Sequence, residues 1–196
     1  SKSAGNGSPM PTVMISCGEP SGDAYAGALA RELRRIDPSV RITGLGGEHL
    51  RAAGADLVGD YHGLAVTGLV EALSVLPRAW AMKRALVDRA ARERPDALVV
   101  IDFPDFNFRL AASLRRAGVP VVYYVCPQVW AWRRGRLRVL RRLVDQALVI
   151  FPFEEPILRD AGVPVAFVGH PLLDLVPPAA GRHAAAEALG LSAGDP

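Results

Sequence analysis

Asp102 and Asp105 stand three positions apart in Ile101-Asp102-Phe103-Pro104-Asp105-Phe106-Asn107. Apolar neighbours and a second negative charge both raise a carboxyl pKa, which brings such a group towards use as a general base near neutral pH. Asp102 is therefore a functional candidate, with a helix cap as its structural alternative. For Asp105 the preferred role is a structural hydrogen bond to loop amides. A second cluster is Gly18-Glu19-Pro20-Ser21-Gly22-Asp23. Its glycines permit close backbone approach, Ser21 or Asp23 can cap a helix, and free amides at that helix start suit an anionic or hydroxylated ligand. It lacks the G-x-G-x-x-G fingerprint, which argues against a nicotinamide enzyme. Trp130 and Trp132, in Pro127-Gln128-Val129-Trp130-Ala131-Trp132, must pack or bind something. His170, before Pro171, is either a satisfied structural histidine or a ligand contact.

These clusters need elements to hold them. Ala97 to Ile101 is an apolar run bounded by Pro95 and Pro104, and it reads as a strand buried on both faces with Asp102 at its carboxyl end. Thr12–Cys17 is a strand, followed by a helix from near Ser21 to before Pro38 with Leu29, Leu33 and Ile36 facing the core. Val40–Thr43 predicts a second strand, Gly44–Gly47 a loop, and a short helix runs through Ala53. A weak strand spans Ala55–Val58. Leu64–Leu76 is apolar at helical spacing, suited to core or to an acyl groove, and a separate helix covers Arg78–Arg94. After the central strand a helix runs from beyond Asn107 to Ala117, stopped by Gly118. Strands Val119–Cys126, Gln146–Ile150 and Val165–Val168 follow, with a short helix Pro156–Ala161 between the last two. The alternation predicts an α/β, doubly wound, mainly parallel sheet of about seven strands. Nearly every unusual cluster falls just after a strand, so the clusters share one sheet edge, where ligands bind in such folds.

The 196 residues suit one well-packed domain, and 50% hydrophobic with 22% charged residues excludes global disorder. Boundaries are set at 1–11 for a flexible leader, 12–175 for the domain and 176–196 for a linker with a small Ala-rich helix. No apolar run approaches the roughly 18 residues that span a bilayer. The net charge of +3 is too small for a general nucleic-acid binder. Six arginines nevertheless lie between positions 133 and 142. Helical spacing sets Arg134, Arg138, Arg141 and Arg142 near one face, opposite Leu137, Leu140 and Val144. Such a helix is either merely solvated or drawn to anionic lipid or phosphate. Cys17 and Cys126 close apolar strands without metal-ligand spacing and read as reduced thiols.

Gly18–Asp23, Ile101–Asn107, Pro127–Trp132, Pro152-Phe153-Glu154 and Val168-Gly169-His170-Pro171 occur in order and spacing that resemble the lipid-A-disaccharide synthase family, from about Met14 onward. The resemblance implies the N-terminal half of a two-domain GT-B glycosyltransferase. That family joins a UDP-2,3-diacylglucosamine donor to a 2,3-diacylglucosamine 1-phosphate acceptor and releases UDP at the cytoplasmic face of the Gram-negative inner membrane. It implies Asp102 as base to the acceptor 6-hydroxyl. Glu19, Ser21, Gly22, Asp23, Asn107, Trp132 and His170 become candidate substrate contacts, and the arginine helix a contact to membrane or acceptor phosphate. No metal, no cofactor and no nucleic acid are implied. A second domain, with a glycine-rich loop and basic residues, holds the UDP in the family, so this half is expected to be inactive alone. Two rivals stay open: another GT-B sugar-nucleotide transferase, and a non-catalytic lipid- or sugar-binding α/β domain.

Overall fold

The structure, a computed structural model, describes residues 10–62, 69–127 and 135–175. The expectations for Leu64–Gly68, Trp130, Trp132, Arg134 and the tail lie outside the described residues. Seven strands, β1 (Thr12–Cys17), β2 (Arg41–Gly46), β3 (Asp56–Asp60), β4 (Ala97–Ile101), β5 (Val121–Tyr124), β6 (Gln146–Val149) and β7 (Val165–Phe167), form one sheet in the order β3-β2-β1-β4-β5-β6-β7. Every pairing is parallel. The helices are α1 (Pro20–Ile36), α2 (Glu48–Ala52), α3 (Leu69–Glu93), α4 (Pro104–Arg116), α5 (Gly135–Leu143), α6 (Glu154–Asp160) and α7 (Leu172–Leu175).

The predicted double burial of Ala97–Ile101 has a simple cause. Leu98 and Val100 pack into one core with Leu110, Leu114 and Leu140, while Val99 and Ile101 pack into a second with Ala26, Ala30 and Leu50. Period-two alternation carries apolar side chains to both faces, and helices cover each face. After β1 the chain winds outward through β2 and β3, then returns to place β4 on the other side of β1. The carboxyl ends of β1 and β4 therefore form the switch point, the edge at which ligands bind in such sheets.

Three sequence expectations are corrected. Gly44–Gly46 belongs to β2, because any side chain at Gly44, whose φ is +145°, would overlap the Ile15 carbonyl of the adjacent strand. α4 starts at Pro104, ahead of Asn107, since proline suits a helix's first turn. α3 is one 25-residue helix that runs through Pro77 instead of two segments. Pro77 lies exposed, where losing one backbone hydrogen bond costs least.

Candidate active site

Two consecutive non-glycine residues leave β4 in the left-handed region, Asp102 at φ 44° and Phe103 at φ 48°. Such conformations cost roughly 1–3 kcal/mol each and persist only where the surroundings impose them. Here the surroundings do. The Asp102 carbonyl accepts the Tyr123 hydroxyl at 2.8 Å and the Asn107 side-chain amide at 2.8 Å. The same amide reaches the Ile101 carbonyl at 3.2 Å and the Ser16 carbonyl at 3.3 Å, while the Ser16 hydroxyl donates to Asn107 Oδ1 at 2.7 Å. The Phe103 ring stacks on Phe106 and lies over Gly18, where a methyl group would overlap the ring.

α4 is preceded by Phe103 with no side-chain cap bond, so Asp102 does not serve as its cap. Its carboxyl pKa is raised, first by burial and second by the negative charge of Glu19. The amide of Phe103 opposes the shift. The expected source of the second charge, Asp105, is corrected: Asp105 is exposed and pairs with Arg136 on α5, not with loop amides. Arg136 also lies 5.7 Å from the Phe108 ring centroid. No local spacing rule links positions 31 residues apart, so this clasp was invisible in the sequence.

Around the first loop, Glu19 is half-buried and precedes α1 in extended backbone without a side-chain cap bond. Ser21 is exposed in the first turn. Gly22 is buried, and a β-carbon there would lie 3.3 Å from Cys17 Cβ, so its small size seats α1 against β1. Asp23 departs from the expectation of a sugar contact. It is 1% exposed, and its two oxygens accept the amides of Gly47 at 2.7 Å, His49 at 2.9 Å and Leu50 at 3.2 Å. Its charge therefore caps the start of α2 rather than its own helix. Asn107 departs likewise: it is 0% exposed and bonded at both ends of its amide within the strand-to-helix turn.

His170 is half-buried beside the rings of Tyr25 and Phe151, at centroid separations of 6.3 Å and 5.5 Å. Its Nδ1 accepts the Leu172 amide at 3.2 Å, which leaves Nε2 as the protonated nitrogen of the neutral ring. On α5, Arg138, Arg141 and Arg142 are exposed, while Leu140 is buried and Leu137 packs on the core. The arrangement thus brings Asp102 and Glu19 together, with Ser21 on the adjoining turn. Asp23 and Asn107 hold the frame. A half-buried carboxylate at the switch point is suited to taking a proton from a bound hydroxyl.

A family model described as lipid-A-disaccharide synthetase matches residues 13–196. A lipid-A-disaccharide synthase of Geobacter metallireducens is 48% identical over 186 residues, covering 93% of this chain and 48% of that protein. One of Koribacter versatilis is 50% identical over 167 residues, covering 85% of this chain and 44% of that protein. The chain therefore spans about half the length of the curated relatives it matches. Among solved structures, a UDP-GlcNAc 2-epimerase from Neisseria meningitidis bound to UDP-GlcNAc superposes with a TM-score of 0.60 at 13% identity, covering 84% of this chain and 48% of that one. At that identity the likeness shows the fold alone.

Proposed function

The chain belongs to the lipid-A-disaccharide synthetase family, and from that premise we propose that it forms the acceptor-side wall of a glycosyltransferase in which Asp102 is the base. The acceptor is 2,3-diacylglucosamine 1-phosphate and the donor UDP-2,3-diacylglucosamine. The acceptor's 6-hydroxyl oxygen forms a bond to the donor's anomeric carbon as the bond from that carbon to the UDP oxygen breaks. The hydroxyl proton passes to Asp102, and UDP leaves with the bonding electrons. The observation that carries this reading is the half-buried Asp102 carboxyl at the β1/β4 switch point, with its pKa raised by burial and by Glu19. A raised pKa makes the ionised form a stronger proton acceptor.

Glu19, Ser21 and the Nε2 proton of His170 are the polar groups offered to the sugars, with Gly22 keeping the loop close to the sheet. Asp23 and Asn107 support the site without touching substrate. The diphosphate is held in the other half of the family's length, so the 196 residues alone are inactive. Among the described residues no helix is long and apolar enough to cross a membrane. Attachment is proposed to be peripheral, at the cytoplasmic face of the inner membrane, with the exposed Arg138, Arg141 and Arg142 meeting anionic lipid or the acceptor phosphate. The test joins this chain to the remaining half and supplies both lipids. The reading expects equal amounts of disaccharide 1-phosphate and UDP. UDP release without disaccharide, or neither product, contradicts it.

A further inference from the structure

We propose that Tyr123 is a positioning residue for Asp102: its buried hydroxyl, with the Ser16–Asn107 pair, clamps the Asp102 carbonyl and so fixes where the carboxylate points. The proposal rests on the reading of Asp102 as the base. Three elements converge on that turn, Ser16 from β1, Tyr123 from β5 and Asn107 from α4. Tyr123 is 0% exposed, and its ring lies 5.6 Å from that of Phe108. Phenylalanine would fill the same space, and burying a hydroxyl is unfavourable unless it is bonded. The hydroxyl donates to the carbonyl of a residue held in the left-handed region. Burial also pushes the phenol pKa well above its ordinary value, so the group remains a donor across the working pH range.

The register shows why a strand residue can reach the turn. Val100 and Ile101 of β4 pair with Tyr123 and Tyr124 of β5. Tyr123 shares the face of the sheet occupied by Val100, and its long side chain extends past Ile101 to the Asp102 carbonyl. The carbonyl and the carboxyl belong to one residue. Locking the first in a left-handed turn sets the direction of the Cα–Cβ bond that carries the second.

The experiment follows the Asp102 carboxyl carbon by NMR titration in the 196-residue chain, comparing wild type with Tyr123→Phe, Ser16→Ala and Phe108→Leu. The clamp predicts that in Tyr123→Phe the Asp102 midpoint falls towards the ordinary carboxylate value as the turn relaxes into solvent. Ser16→Ala should move it the same way by less. Phe108→Leu, which alters ring packing without removing the hydroxyl, should leave it in place. An unchanged midpoint in Tyr123→Phe overturns the proposal, and so does an equal shift in Phe108→Leu. If Tyr123→Phe fails to fold, Ser16→Ala decides by the same criterion. In the family's full length, Tyr123→Phe should lower kcat with little change in KM, and a change confined to KM contradicts positioning. Should the midpoint move while Asp102→Asn keeps full activity, the base assignment fails and the clamp stands.

Discussion

Asp102 carries two opposite consequences of one shift. Its proton is held more tightly in the folded chain than in the unfolded one, so ionisation weakens folding as pH rises through the ordinary carboxylate value to the raised one. Asp102→Asn removes that penalty. Thermal unfolding of the chain should therefore show the variant more stable than wild type at neutral pH, with the difference vanishing in acid below the ordinary value. A difference that grows in acid would contradict the raised pKa. Asp23 is buried as well, and its carboxylate accepts three backbone amides. Asp23→Asn should destabilise by about 1–3 kcal/mol in urea unfolding, and an unchanged midpoint would show that the cap contributes nothing. The sequence placed Asp102 correctly because an apolar strand ending in a carboxylate is a local pattern. It misplaced Asp23, whose partners lie at Gly47, His49 and Leu50, beyond the reach of any helix-start rule.

The strand-to-helix turns after β1 and β4 work as one unit because the Phe103 ring rests on Gly18. Gly18→Ala should displace the ring, cost about 1–3 kcal/mol by overpacking, and shift the Asp102 signals in an NMR spectrum. Stability loss with Asp102 unmoved would uncouple the two turns. Strand identities were readable from apolar runs between turn residues, and seven strands in parallel followed from their alternation with helices. Of the boundaries that moved, β2 extends through Gly44 for a tertiary reason, because β1 lies against it, whereas the α4 start at Pro104 follows the local rule that proline suits a helix's first turn. On α5 the expected division of faces holds for Leu140 inside and Arg138, Arg141 and Arg142 outside. Arg136, which helical spacing assigned to neither face, clasps Asp105 on α4.

For the molecule as a whole, the carboxyl edge of the sheet gathers the loops after β1, β4 and β7, with Glu19, Asp102 and His170 on them. This convergence follows from topology, which is why the sharing of one sheet edge by these loops was readable before any contact among them. The proposed association with a membrane surface is tested apart from the site. Exchanging Arg138 and Arg141 for Glu should abolish sedimentation with vesicles containing anionic lipid if α5 faces the membrane. Retained binding would assign those arginines to solvent or to the acceptor phosphate. The central claim, that this half supplies the base, is tested most directly by the rate of disaccharide formation in the family's full length carrying Asp102→Asn. A fall in kcat of about 100-fold or more, with donor and acceptor still bound, is the expected result. Wild-type kcat in that variant would contradict it.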